Sequence, residues 1–201
     1  DSPNTNTISA AIPSSETSRT TAVTKNGSNR WDITGTINAT GMFTCNAGTL
    51  DFGSTNRTLT GGLTVTAGTV SITAGNTIAA NTSMSGGTIT AVLAGANTFT
   101  TTTGATQSSP ALLYPNDTTN GRNTFTGNAT INGCVDLKTP FNVVVGTAGN
   151  GFVLGQSNTT TVSSTGTIRT YTRSDSKQRG QARYNNLTLQ SGSTIKIGFA
   201  A

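Results

Sequence analysis

From Trp31 to Thr106 apolar and small polar residues alternate in short runs, each closed by Gly or Asn. The segments 33–37, 63–66, 70–73 and 88–90 carry the period of two that marks a strand with one face on a core. Turn signals at Gly61-Gly62, Gly68, Gly75, Gly86-Gly87 and Gly95 separate them. Adjacent segments also look alike: Thr64-Val65-Thr66-Ala67-Gly68 is followed by Val70-Ser71-Ile72-Thr73-Ala74-Gly75. The two Gly-Gly pairs lie 25 residues apart, near the length of one solenoid coil. The fold class is therefore all-β. Self-similarity favours a β-solenoid of the parallel β-helix kind, and a β-sandwich is the alternative that short strands also fit.

The rhythm breaks at 107–122, where Pro110, Pro115 and the run Asn116-Asp117-Thr118-Thr119-Asn120-Gly121 predict a loop or hinge. Strands are expected again at 123–137, 141–145, 151–154, 167–172, 187–189 and 194–197. Residues 1–30 hold few large apolar side chains, chiefly Ile8, Ile12 and Val23. They predict an extended N-terminal arm ahead of a single all-β domain at 31–201. Ile8, Ala10 and Ile12 alternate as one face of a strand donated to a neighbouring subunit should.

Composition supports strands. The chain has 201 residues with 44 Thr and 24 Gly, and Thr favours extended backbone. Strong helix formers are scarce, and no segment holds a helical apolar stripe over three turns. No apolar run approaches the roughly 20 residues of a spanning helix, so no transmembrane segment is expected. A start at Asp1, without Met or a charged-then-apolar leader, suits an exported protein after signal-peptide removal.

The stretch from Asn123 to Leu137 reads Asn-Thr-Phe-Thr-Gly-Asn-Ala-Thr-Ile-Asn-Gly-Cys-Val-Asp-Leu. It resembles the autotransporter-associated β-strand repeat, approximately Asn-Thr-aromatic-Thr-Gly-Gly-Thr-Thr-Ile-x-x-Gly-x-Leu. Fainter echoes start at Ala96 and Leu59. The resemblance implies a β-helical passenger on a bacterial surface, and it implies location and fold rather than an activity.

The chemistry for catalysis is sparse. There is no His, which removes the usual general base and the commonest transition-metal ligand. Asp1, Glu16, Asp32, Asp51, Asp117, Asp136 and Asp175 are spread along the chain, with no close pair to suggest a carboxylate dyad. No phosphate-binding loop or calcium loop is present, so neither an enzyme nor a cofactor is expected. Cys45 and Cys134 are candidates for one disulfide or for two buried thiols.

Eight Asn-x-Ser/Thr sequons begin at Asn26, Asn38, Asn56, Asn81, Asn116, Asn128, Asn158 and Asn186. Net charge is +5, and Arg169, Arg173, Lys177, Arg179 and Arg183 form a candidate polyanion patch beside Tyr171 and Tyr184. Thr-x-Thr recurs at Thr58/Thr60, Thr64/Thr66, Thr88/Thr90, Thr98/Thr100, Thr124/Thr126 and Thr170/Thr172, which puts each pair on one strand face.

Three function classes follow. The leading one is a secreted structural protein, a homo-oligomeric fibre subunit assembled by strand addition, with a phage or viral fibre or coat subunit as a further version. The second is an adhesin or a domain binding a polysaccharide, cell or ice surface through a threonine ladder. The third is nucleic-acid or other polyanion binding, which a solvated, charged strand edge would mimic.

Overall fold

Period-two alternation with a turn every few residues lets a chain wind instead of folding back, and winding stacks equivalent strands in parallel. The computed structural model describes residues 5–13, 20–115, 123–138, 152–154, 159–171, 182–183 and 186–199. Every strand pairing in it is parallel, and the described residues contain no helix. The fold is a parallel β-solenoid. Parallel pairing throughout excludes the β-sandwich, whose sheets are antiparallel.

Three sheets form its sides. Sheet one stacks nine strands, from Thr5–Ile8 at one end through Arg30–Ile33, Thr49–Asp51 and Thr69–Ser71 to Thr194–Phe199 at the other. Sheet two stacks eight, from Val23–Lys25 through Phe43–Cys45, Leu63–Val65, Thr82–Met84, Phe99–Thr101, Ala129–Ile131 and Thr160–Val162 to Leu187–Leu189. Sheet three is shorter, with Arg57–Thr58, Thr77–Ala79 and Val92–Ala94. Asn123 to Thr126 then continues its stacking: the amides of Thr124 and Thr126 donate to the carbonyls of Leu93 and Gly95. A separate two-stranded pair joins Phe152–Val153 to Ala182–Arg183.

Inward side chains stack rung on rung into one core. Leu50, Val70, Ile89, Leu113 and Leu137 form one such column on sheet one, all buried. Aromatic rings bridge the sides: Phe43 meets Phe52 edge-on at 5.7 Å between centroids, and Phe99 lies 6.1 Å from Phe125. Burial of each large aliphatic side chain contributes about 1.5–3 kcal/mol, and the column repeats that gain at every coil.

Glycine marks the corners, but not with the period read from the two Gly-Gly pairs. Val23, Phe43 and Leu63 are successive partners, which sets a coil of 20 residues there. Gly62 precedes a sheet-two strand and Gly87 a sheet-one strand, so the two pairs occupy different corners. The real repeat is the corner between sheets two and one, where Asn46-Ala47-Gly48-Thr49, Thr66-Ala67-Gly68-Thr69 and Ser85-Gly86-Gly87-Thr88 superpose. Gly48 and Gly87 have φ of 65° and 72°, a conformation that side chains with a Cβ rarely adopt.

The N-terminal segment departs from the expected free arm. Thr5–Ile8 pairs in register with Arg30–Ile33, and Ile12 bridges Ile37. Ile12 is buried in the chain's own core, Ile8 packs partly against it and Ala10 is exposed. The seat foreseen for Ile8 and Ile12 on a neighbour is thus occupied within the chain, because Ile33 and Ile37 offer the same alternate apolar positions. Lys25 shares this end: its stem is buried and its ammonium donates to the carbonyls of Asn26, Gly27 and Ala47 at 2.8, 2.6 and 3.1 Å.

One further expectation changes, and one open alternative is decided. Residues 107–122 are not all loop, since Ala111–Leu113 is a sheet-one strand with Ala111 and Leu113 buried between flanking prolines. Cys45 and Cys134 are both free and buried. From Cys45 the ladder passes through Val65, Met84 and Thr101 before reaching Ile131, in the coil that holds Cys134. At about 4.8 Å per rung this separation far exceeds the roughly 7 Å limit for a bridge. The strand expected at 141–145 lies outside the described residues.

Candidate functional site: an uncharged hydroxyl face

Sheet two turns one residue of each strand centre outward, and the register aligns these residues into a single file. Thr24, Thr44, Thr64, Ser83, Thr100, Thr130, Thr161 and Thr188 are successive partners along the sheet. Eight rungs in a row therefore place a β-hydroxyl at the same point. The six inner members are half-buried by their neighbours above and below, and the two end members are exposed.

Columns two residues to either side flank this file. On one side Asn26, Asn46 and Thr66 are tied together: Asn46 Nδ2 donates to Asn26 Oδ1 at 2.9 Å, and the Thr66 hydroxyl donates to Asn46 Oδ1 at 2.7 Å. On the other side the Thr98 hydroxyl donates to Asn81 Oδ1 at 3.2 Å. The central file behaves differently. Thr64 donates weakly to the Met42 sulfur at 3.5 Å, whereas the hydroxyls of Thr44, Ser83, Thr100, Thr130 and Thr161 have no hydrogen-bond partner among the described residues. The three columns hold no charged and no aromatic side chain.

Among the described residues, the ion pairs lie on the outward side of sheet one. Asp32 and Asp51 are register partners on adjacent rungs. Arg30 bridges them, with Nε 2.6 Å from Asp32 Oδ1 and Nη2 3.2 Å from Asp51 Oδ2. Folding thus places on adjacent rungs two carboxylates whose proximity sequence spacing concealed. Asp51 is nevertheless fully engaged, since Oδ1 accepts from the Gly53 amide and Oδ2 from the Ser71 hydroxyl.

Further along sheet one, Arg169 grips Asp136 on the neighbouring rung. This corrects the polyanion patch. Arg169 is 8% exposed and committed to an internal ion pair, so it presents no free charge to a polymer. Arg183 lies in a short strand, and Arg173, Lys177 and Arg179 lie outside the described residues.

Burial perturbs three further groups among the described residues. Burial raises the thiol pKa of Cys45, with Lys25 opposing it, and burial likewise raises that of Cys134. Burial lowers that of Arg57, whose guanidinium donates to the carbonyls of Phe52, Gly35 and Ile33 at 2.9, 2.9 and 3.0 Å. Among the described residues no group of three or more metal-ligating side chains occurs, and no helix is long and apolar enough to cross a membrane.

Of the Thr-x-Thr pairs read from sequence, Thr64/Thr66 and Thr98/Thr100 lie on the sheet-two face, while Thr88/Thr90 belongs to sheet one. The single file itself is visible only once the coil length is known, because its members lie 19 to 31 residues apart outside the compact Ser83 to Thr100 step. No protein-family model, curated protein or solved structure matches the chain.

Proposed function

We propose that the chain is a non-catalytic structural module working outside the cell or on its surface, and that the hydroxyl face of sheet two is its working part. One observation supports this reading: a file of in-register hydroxyls, those of Thr44, Ser83, Thr100, Thr130 and Thr161 without a partner among the described residues, flanked by columns without charge. Such a face suits an extended, neutral partner that offers hydrogen bonds at regular intervals. It does not suit a polyanion, which would need exposed Arg or Lys. Export accords with the resemblance of residues 123–137 to β-helical surface passengers.

The test is retention of the purified chain on ice and on insoluble neutral polysaccharides, with heparin and DNA as anionic comparators. Retention on a neutral surface should be insensitive to salt, because no charge pairing is involved. It should disappear in Thr100→Tyr and Thr130→Tyr variants that keep their β circular dichroism. Retention by heparin alone, or equal retention of the variants, refutes the reading.

Fibre assembly is a second reading with its own support. Leu187 and Leu189 continue the inward columns of Thr160 and Val162, yet they are 39% and 53% exposed on the last described rung of sheet two. A further rung would cover them, and we propose that a second copy supplies it. Concentration-dependent filaments by negative-stain microscopy, lost in Leu189→Lys, support this; a monomer at all concentrations refutes it.

A further inference from the structure

We infer that the partner of the sheet-two face is the surface of ice. The inference rests on the face reading above and narrows it to one ligand.

The geometry of the face is that of a small lattice. Along the file, hydroxyls repeat at the strand spacing of about 4.7–4.9 Å. Two residues of strand to either side, about 6.6–6.8 Å away, the rungs of Thr100 and Thr161 carry hydroxyls as well, at Thr98, Thr102, Thr159 and Ser163, and the rungs of Ser83 and Thr130 carry Asn or Ser. Over these four rungs the uncharged polar pattern therefore extends in two directions. A lone glycan chain repeats in one direction, and a crystalline polysaccharide surface, which repeats in two, presents sugar rings that stack on aromatic side chains, which this face lacks. Ice repeats in two directions and offers a donor and an acceptor at every site. A charged side chain would hold its own disordered water shell against such a lattice, and the face carries none.

Threonine chemistry agrees. Each Thr pairs a hydroxyl, which can join an ordered water layer, with a methyl group beside which water cannot hydrogen-bond to protein. Its branched Cβ restricts χ1, and neighbours on both sides hold the inner members half-buried, so little freedom is lost on binding. The free hydroxyls of Thr44, Ser83, Thr100, Thr130 and Thr161 need no internal bond broken before they engage.

The experiment measures ice-affinity partitioning, crystal shaping and thermal hysteresis of the purified chain. The variants are Thr100→Tyr, the hydroxyl-deleting pair Thr100→Val/Thr130→Val, and Thr69→Tyr on sheet one as a control. The wild type and Thr69→Tyr should enter ice and shape it, and Thr100→Tyr should partition like a protein with no affinity for ice. The valine pair keeps side-chain volume and β propensity, so it should stay folded and show reduced hysteresis. A wild type left in the liquid, or a Thr100→Tyr variant that partitions normally, overturns the inference. If the chain instead binds insoluble cellulose or chitin through Thr100, the ice inference falls while the face reading stands. If it binds neither, both fall.

Discussion

Arg169 holds Asp136 from the next rung by two hydrogen bonds, Nε to Oδ1 at 2.6 Å and Nη2 to Oδ2 at 2.9 Å. The carbonyl of Gln107 accepts from Nη1 at 3.1 Å, which draws the loop between Thr102 and Pro110 over the pair. Both side chains are less than a tenth exposed.

Removing one partner strands the other charge in a buried site. Arg169→Met should therefore destabilise the solenoid by about 3–5 kcal/mol. The double variant Asp136→Leu/Arg169→Met should regain much of that loss, because no unpaired charge remains. Urea denaturation of the four species in a double-mutant cycle measures it, and equal costs for single and double variants would contradict the pairing.

The two thiols make stability sensitive to alkali. Burial raises the folded pKa of Cys45 and Cys134, while Lys25 works against the rise at Cys45; at Cys134, Arg169 and Lys196 oppose it and Asp136 adds to it. A group whose folded pKa is raised contributes stability that is fully present below its unfolded pKa, about 8.5 for a thiol, and is lost as pH rises through the folded value. The melting temperature should hold on the acid side of that point and decline above it, with a shallower decline in Cys45→Ala. A thiol-specific chromogenic reagent should react with neither cysteine in the native protein and with both after unfolding.

Gly87 should resist substitution. Its φ is 72°, and a Cβ there would collide with the carbonyl oxygen of Gly68 on the coil beneath. Gly87→Val should cost at least the roughly 1–3 kcal/mol of a strained backbone and also disturb the Thr88 strand. A Gly75→Ala variant isolates the effect of φ: Gly75 has φ of 85° with nothing within 4 Å of the added carbon, so strain acts there without collision. Thermal denaturation should rank Gly87→Val well below Gly75→Ala.

Ile12 should behave as a core residue. Its amide donates to the Thr36 carbonyl and its carbonyl accepts from the Asn38 amide, at 2.8 and 2.9 Å. Ile12→Asp should accelerate hydrogen exchange at the amides of residue 12 and Asn38, the two donors of these bonds, while leaving the rungs beyond Leu63 protected. An unchanged exchange pattern would mean that the segment leaves its rung readily and is available to a neighbour.

Much of the architecture was legible before folding. Alternation around Thr64 and Val70 gave strands, and the likeness of successive segments pointed to winding. The coil length was misread because Gly62 and Gly87 look equivalent in a string but sit at different corners, and only pairing distinguishes them. Lys25 and Arg57 were invisible as interior residues, since their buried stems and carbonyl partners depend on turns from neighbouring coils. Arg169 read as part of a basic cluster because its partner Asp136 lies 33 residues away. The Thr-x-Thr pairs gave the type of face but not its continuity, which exists only across rungs.

Coil length varies widely along sheet two: Thr82 pairs with Phe99 after 17 residues, and Ala129 with Thr160 after 31. The file of hydroxyls nevertheless stays aligned, because the register of the paired strands is kept whatever the length of chain between one rung and the next. The lattice and the loops are thus separately heritable. Insertions and deletions at the corners can diversify the outline of the molecule without shifting a single hydroxyl, and duplication of a whole coil lengthens the face by one unit. A gene under selection for the face alone would conserve its rung pattern while its overall length drifted freely.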